Sequence, residues 1–260
     1  MSTSKTKQGI LARHIANELL LAPALPVAPG HPKDLSVEQP TMPIDPAVAD
    51  YVTPALYGGE THYVDVPGMA PLRQALAAAM QGAGLLSVEA ANVLVSAGMQ
   101  ETRYLAIQIL GELLGPVALP QVVHPGARKA LGIRPLRATE PLPCDAAVGY
   151  LPTLAGIRKA LAGGAKVLYL ESPVRLSGAM FDAVAVAEIA TLAREHGAAV
   201  IWDQGLAPWV KGYVSLWNEP GMDKQAVLIG EAFPGVGLES WFIGYVVTNA
   251  EWFDRFRRDK

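Results

Sequence analysis

Residues 166–203 have the sequence KVLYLESPVRLSGAMFDAVAVAEIATLAREHGAAVIWD, and this stretch decides the fold. Two short strands are predicted at 166–171 and 199–203, and their central residues 167–170 and 199–202 are continuously apolar. Between them, residues 181–195 have the pattern of a helix that ends at Gly197. Apolar strands that are separated by helices run parallel and are covered on both faces. The stretch therefore predicts a parallel sheet with helices packed on it.

The same alternation continues on both sides of this stretch. Further strands are predicted over 92–97, 117–123, 134–138, 226–232 and 242–248. Further helices are predicted over 10–21, 71–79, 99–114, 127–131 and 153–161, with a last one from about residue 250. The sequence thus predicts an α/β fold, with a mainly parallel seven-stranded sheet and helices on both faces.

The first 55 residues differ from the rest of the chain. Prolines recur at positions 40, 43, 46 and 54, which favours an extended backbone. We expect residues 1–55 to form a helix and a proline-rich arm, and residues 56–260 to form the α/β domain. Such an arm is unsuited to folding on its own chain, and 51% of the residues are hydrophobic. Both features favour a dimer.

Composition and charge exclude several classes of function. The chain has 21 Lys and Arg against 24 Asp and Glu, and no dense basic run, so nucleic acid is not an expected partner. The single cysteine, Cys144, cannot form an internal disulfide, which favours a reducing, cytoplasmic location. We expect no membrane partner, because no run approaches about 18 apolar residues. We also expect no metal, since no His, Asp or Glu cluster has the required spacing.

Candidate site residues follow the ends of three predicted strands, where ligands of α/β sheets collect. Residues 96–102 turn through Gly98 into the beginning of a helix, which suits a phosphate, although any strand-to-helix turn can use glycine. Asp203 ends its strand, where it either forms a turn or holds a protonated heterocyclic nitrogen. Residues 171–178 form either an ordinary connection or a third part of the site.

In their order along the chain, these segments resemble the class I/II aminotransferases, fold-type-I enzymes that use pyridoxal phosphate. The resemblance runs from about Asp34 to the end of the chain. Residues 63–77 (YVDVPGMAPLRQALA) are similar to the family's Tyr, Gly and Leu-Arg segment. Residues 96–102 are similar to its phosphate-binding turn, and 168–178 to the loop that ends in Asn-Pro-Thr-Gly. Residues 200–203 are similar to the strand whose aspartate pairs with the pyridine nitrogen.

The resemblance implies a set of cofactor-binding residues. Gly98, Met99 and Gln100 would hold the phosphate of pyridoxal phosphate, or of its pyridoxamine form. Asp203 would hold the ring nitrogen. Tyr63 would reach the cofactor phosphate of a neighbouring subunit. A small amino-acid-like ligand is implied as the second partner.

The chain also departs from the family pattern at four positions. Aligned on residues 244–245, Pro234 stands at the place of the lysine that carries the cofactor, and Phe242 at that of an arginine. The family's tyrosine after the aspartate is replaced by Leu206, and the asparagine of Asn-Pro-Thr-Gly by Arg175. Proline has no amine, so we assign no catalytic residue and expect transaminase activity to be lost or altered.

Three hypotheses stay open. The chain is either an aminotransferase-like protein that still binds the cofactor, or a non-catalytic partner that dimerises with a complete aminotransferase. The third is an unrelated small-molecule binding protein on the same fold. The expected assembly is a homodimer or a heterodimer with an aminotransferase.

The nearby lysines are Lys211 and Lys224, of which Lys224 precedes its strand. The chain ends shortly after the strand at 242–248, so we expect the family's C-terminal small domain to be absent.

Overall fold

The computed structural model describes residues 44–85, 87–234, 238 and 241–260, which lie in one compact unit that spans Pro40–Lys260. The helix predicted over 10–21 lies outside the described residues. The helices are α1 (Pro46–Tyr57), α2 (Ala70–Gly82), α3 (Gly98–Leu114), α4 (Pro125–Ile133), α5 (Leu154–Ala162), α6 (Ala183–His196) and α7 (Ala250–Asp259). The strands are β1 (Val93–Ser96), β2 (Val117–Ala118), β3 (Cys144–Asp145), β4 (Leu151–Pro152), β5 (Val167–Glu171), β6 (Ala199–Asp203), β7 (Ala226–Glu231) and β8 (Gly244–Val247).

Within the described residues, the main sheet has six strands in the order β1-β8-β7-β6-β5-β2. The pairs β2–β5, β5–β6 and β6–β7 are parallel, whereas β8 runs antiparallel to both of its neighbours. The α/β class is confirmed, but the strand count of seven is wrong. Residues 134–138 form only an isolated bridge between Ala138 and Val117. Pro135 lies in that segment and has no N–H to donate to a ladder.

Helices cover both faces of this sheet, as its apolar strands require. Side chains alternate along each strand, so successive residues enter two separate cores. One core contains residues of α2, α5 and α6 together with Leu168 and Leu170 of β5. The other contains residues of α3, α4 and α7 together with Val167 and Tyr169. This second face, on which α3 packs, leads to the candidate site.

The segment that we expected to be an extended arm contains a helix, α1. Pro46 occupies the first helical position, where its missing N–H breaks no hydrogen bond. The Asp45 carboxylate accepts a hydrogen bond from the Ala47 N–H at 2.9 Å and caps the helix. The domain boundary predicted after residue 55 falls inside α1. No residue of α1 is buried, although most of its side chains are apolar.

Candidate functional site

Two acidic residues end neighbouring parallel strands at the carboxyl edge of the sheet. Glu171 is the last residue of β5 and lies opposite Asp203, the last residue of β6. Each of the two residues is only 4% exposed. Two buried carboxylates at the same level of a sheet repel each other unless cations or N–H groups compensate them. The partners of these two groups therefore define what the site can do.

Asp203 is held entirely by groups of its own chain. Its Oδ2 accepts a hydrogen bond from Arg103 Nε at 2.9 Å and another from the Tyr169 hydroxyl at 2.6 Å. Its Oδ1 accepts one from the Gly205 N–H at 3.0 Å. The Arg103 and Asp203 side chains are each 5% exposed, so they form a buried ion pair. The negative charge of Asp203 is thus neutralised inside the domain.

Helix α3 places Arg103 in this position. Met99 and Arg103 are four residues apart, so they lie on the same face of the helix, towards the sheet. A Cβ atom added to Gly205 would lie 3.2 Å from Asp203 Oδ1 and 3.4 Å from the Met99 methyl carbon. The Met99 methyl group and the carboxylate oxygen therefore lie on the same side of Gly205. Met99 fills space beside the carboxylate with an apolar group.

The surroundings of Arg103 and Tyr169 keep both side chains in their protonated forms. Burial alone lowers the pKa of the Arg103 guanidinium, but the Asp203 carboxylate and Tyr169 raise that pKa above its ordinary value. Burial and the Asp203 charge raise the pKa of the Tyr169 hydroxyl well above its ordinary value. Arg103 therefore stays charged, and Tyr169 stays a neutral donor to the carboxylate.

Glu171 is compensated by backbone groups. It accepts hydrogen bonds from the N–H of His124 at 2.7 Å and the N–H of Arg175 at 3.3 Å. Burial and the neighbouring Asp203 charge nevertheless raise the pKa of Glu171. Glu171 thus joins the loop after β2 to the loop after β5.

The beginning of α3 forms the turn that the sequence predicted. Gly98 has a φ of +79°, which favours glycine, and a Cβ atom added to it would lie 3.1 Å from Phe242 Cβ. The Thr102 hydroxyl donates to the Gly98 carbonyl at 2.7 Å. The Glu101 carboxylate accepts a hydrogen bond from the Ala97 N–H. A negative charge of the chain itself therefore lies at the positive end of the helix.

A chain of polar side chains that we did not predict crosses the sheet edge beside Asp203. Trp202 Nε1 donates to the Tyr213 hydroxyl at 2.7 Å, and this hydroxyl donates to Gln204 Oε1 at 2.8 Å. Gln204 Nε2 donates in turn to the Tyr245 hydroxyl at 2.9 Å. Burial raises the pKa of Tyr245 to about 12, so it stays protonated. The signal in the sequence was Gln204 itself, an amide next to a buried strand end.

The structure brings together only part of the predicted site. Gly98, Met99 and Asp203 lie around the carboxyl edge, and exposed Gln100 donates to the Gly126 carbonyl at 3.2 Å. Tyr63 lies between α1 and α2, and its side chain is fully exposed. The residues that sequence reasoning missed are Arg103 and Tyr169, Glu101 and Gln204. In the described part of the chain, no group of three or more His, Cys, Asp or Glu is arranged to hold a metal ion.

The sheet order, the strand-end aspartate and the glycine turn into α3 define the large domain of a fold-type-I transferase. The family model for class I and II aminotransferases matches residues 34–259, and the chain belongs to this family. It is 24% identical over 218 residues to the arginine–pyruvate transaminase of Pseudomonas aeruginosa, covering 83% of this chain and 55% of that protein. It is 21% identical over 224 residues to the aspartate aminotransferase of Pyrococcus horikoshii, covering 84% and 56%. The chain thus spans about half the length of the curated relatives it matches.

Solved structures agree on the fold. The N-succinyldiaminopimelate aminotransferase of Mycobacterium tuberculosis superposes with a TM-score of 0.76 at 23% identity, covering 85% of this chain and 59% of that one. The aspartate aminotransferase of Thermus thermophilus with maleate gives 0.74 at 21% identity, covering 86% and 58%. None of the described helices has the length and apolar character needed to cross a bilayer.

Class I and II aminotransferases depend on pyridoxal phosphate, so family membership supports that molecule as a candidate cofactor. The residues present nevertheless do not fit it. Its protonated ring nitrogen would be a second cation at Asp203, whose charge the buried Arg103 guanidinium already neutralises. Its phosphate would meet the Glu101 carboxylate at the beginning of α3. The cofactor-binding roles of Gly98, Met99, Gln100, Asp203 and Tyr63 stay predictions.

Proposed function

We propose that this chain is a class I/II aminotransferase-family domain whose transaminase activity is lost. The observation that carries the proposal is Pro234, which has no amine and stands where the resemblance places the cofactor-bearing lysine. Pro234 follows β7 on the side of the sheet where β6 ends at Asp203. Transamination needs an amine at that place, both to hold the cofactor and to move a proton. A small amino-acid-like molecule at this edge would then be a ligand and not a substrate.

Covalent labelling tests this proposal. The purified chain is incubated with pyridoxal phosphate, reduced with borohydride, digested and analysed by mass spectrometry. Lys211→Ala serves as the matched variant, because exposed Lys211 lies in the segment after β6. We expect the same weak labelling of surface lysines in both proteins and no amino transfer from glutamate. Stoichiometric labelling of Lys211, together with transfer activity that the variant lacks, would contradict the proposal.

We also propose that the chain acts as a non-catalytic subunit of a dimer. Homologous aminotransferases are typically dimeric, and the support in this chain is an apolar surface that it leaves open. This surface, which we call the α1 surface, consists of exposed side chains in α1 and in the segment that leads to α2. Its members are Tyr51, Leu56, Tyr57, Tyr63, Val64, Val66 and Met69. Large exposed apolar patches mark protein interfaces.

Light scattering on the purified chain at micromolar concentration tests the dimer. We expect a dimer of two copies. If the chain is monomeric, co-expression with a full-length class I/II aminotransferase of the same organism tests the mixed pair. A monomer in both experiments would refute the subunit role.

We further propose a cytoplasmic location, since Cys144 is unpaired. Cell fractionation tests this location, and recovery of the protein outside the cytoplasm would disprove it.

A further inference from the structure

The first two turns of α3 carry one acidic and one basic residue that act at two different places of the candidate site. The Glu101 carboxylate accepts a hydrogen bond from the Ala97 N–H, at the beginning of the helix. The Arg103 guanidinium, two residues further on, pairs with Asp203 at the end of β6. Residues two apart on a helix point in different directions, so each charge serves its own end of the site.

The cation occupies the place of a ring nitrogen. A protonated pyridine nitrogen is bound by a buried carboxylate through a charge-assisted hydrogen bond. Here the carboxylate is that of Asp203, and Arg103 Nε is already 2.9 Å from its Oδ2. The Tyr169 hydroxyl at 2.6 Å completes that oxygen's partners, and Gly205 N–H binds the other oxygen. A second cation at this carboxylate would be repelled by the guanidinium, because both carry a positive charge.

The anion occupies the place of a phosphate. The beginning of a helix attracts negative charge because its N–H groups and its dipole point there. Glu101 already provides such a charge. A phosphate at the same end of the helix would be repelled by this carboxylate. Phe242 packs against Gly98 on the same turn, where a Cβ atom on Gly98 would lie 3.1 Å from Phe242 Cβ. The negative charge that a phosphate would bring is therefore already present at this end of the helix.

We propose that Glu101 and Arg103 replace, within the chain, the anion and the cation that pyridoxal phosphate would bring to this site. The domain is then complete without the cofactor and does not take it up. This inference concerns non-covalent binding, so it is independent of whether Pro234 abolishes transamination. It predicts that removal of Arg103 frees Asp203 for an external cation.

The first test uses the full chain and pyridoxamine 5′-phosphate, which needs no lysine. Thermal unfolding of the wild type is followed with increasing ligand. Because a ligand that binds the folded state raises its melting temperature, we expect no concentration-dependent shift. A saturable rise of several degrees in the wild type would overturn the inference. Covalent labelling at a lysine is measured in a separate experiment. A failure of this inference can therefore be distinguished from a failure of the proposal that transaminase activity is lost.

The second test uses variants of the ion pair. Arg103→Leu should melt several degrees below the wild type, and pyridoxamine, which has the ring nitrogen but lacks the phosphate that Glu101 would repel, should restore part of that loss. The same ligand should leave Arg103→Leu/Asp203→Asn unchanged, because its carboxylate charge is gone. Arg134→Leu, which removes an exposed arginine paired with Glu112, is the matched control and should show neither effect. If Arg103→Leu folds and the ligand does not change its melting temperature, the inference is overturned.

The anion half is tested with Glu101→Gln, which keeps the side-chain size and removes the charge. Inorganic phosphate should raise its melting temperature more than that of the wild type, with Glu112→Gln as control. Equal responses of Glu101→Gln and the wild type would refute the role of Glu101. If Arg103→Leu does not fold, the wild-type titration decides alone.

Discussion

The carboxyl edge of the sheet and the α1 surface differ in how their side chains are partnered. At the edge, the carboxylates of Asp203 and Glu171 are buried, and the chain's own groups bind both. On the α1 surface, the side chains are apolar and exposed, with Tyr57 87% accessible to solvent. The two carboxylates of the edge are bound within one chain, whereas the apolar side chains of the α1 surface are left largely exposed by the described residues. Changes at the edge should therefore alter stability, and changes at the α1 surface should alter association.

The contrast also bears on the proposed role of the chain as a subunit. An enzyme site requires groups that are left unsatisfied until a cofactor or substrate arrives. The edge has few such groups, because Arg103 already neutralises Asp203. The α1 surface instead has exposed apolar side chains, and exposed apolar area is what protein association buries.

Breaking the ion pair at the edge has the largest expected effect. Asp203→Leu leaves the Arg103 guanidinium buried without a counter-charge, and we expect the free energy of unfolding to fall by about 3–5 kcal/mol. Asp203→Leu/Arg103→Leu removes both charges and should recover most of that loss. Urea denaturation of the wild type and of both variants measures these free energies of unfolding.

An exposed ion pair provides the control for this prediction. Asp254 pairs with Arg257 on α7, where both side chains are more than half exposed. Asp254→Leu should change the free energy of unfolding by no more than about 1 kcal/mol. If Asp203→Leu costs no more than Asp254→Leu, the edge does not depend on its ion pair.

Close packing at the edge gives the next largest effect. A Cβ atom on Gly244 would lie 2.6 Å from Thr102 Oγ1, 2.7 Å from Ser96 Oγ and 2.9 Å from the Gly98 carbonyl carbon. We expect Gly244→Ala to lower the free energy of unfolding by about 1–3 kcal/mol, because backbone must move. Gly132→Ala in α4 meets nothing within 4 Å and should raise it by up to about 1 kcal/mol. Thermal unfolding distinguishes the two, and a stable Gly244→Ala would contradict the tight packing.

The fold was predicted well where local pattern and tertiary environment agree. The strand at 199–203 has the predicted bounds, and the helix predicted over 181–195 is α6 at 183–196. Prediction failed where pairing or context decides. Residues 134–138 have strand-like composition but pair with a neighbour only at their end, through the bridge between Ala138 and Val117. The prolines before residue 55 favoured an arm, yet Pro46 sits at the first helical position, where it breaks no hydrogen bond, and α1 continues past Pro54.

The site was predicted only in its position. Asp203 was expected at a strand end, but its partner Arg103 was not, because a charged residue in a helix usually faces water. A usable signal was present in the sequence. Glu171 and Asp203 both end apolar strands, and two adjacent buried carboxylates require a cation nearby. Which arginine meets them depends on the rotation of α3, and local sequence does not set that rotation.

A smaller effect on stability is expected at the α1 surface. Leu56→Ser/Tyr57→Ser removes two exposed apolar side chains, so the free energy of unfolding of the monomer should change by no more than about 0.5 kcal/mol per site. Association should weaken about tenfold or more, equivalent to about 1.4 kcal/mol. Light scattering over a concentration series measures the strength of association. Val184→Ser, at an exposed position of α6, is the control, and equal association of both variants would exclude the α1 surface as the interface.

The smallest effect is expected from Pro234→Lys, which restores an amine at the family's position. Pro234 is half-buried in a loop, so the free energy of unfolding should change by about 0.5 kcal/mol or less. No amino transfer from glutamate or alanine should appear, because Asp203 remains bound to Arg103 and Phe242 remains at the arginine position. Catalytic groups that act as a unit are strongly non-additive, so one restored member has little effect alone. Half-reactions followed by absorbance measure this. Transfer in Pro234→Lys that is unchanged by a further Arg103→Leu would show that the ion pair does not close the site, and that proline alone separates this chain from its active relatives.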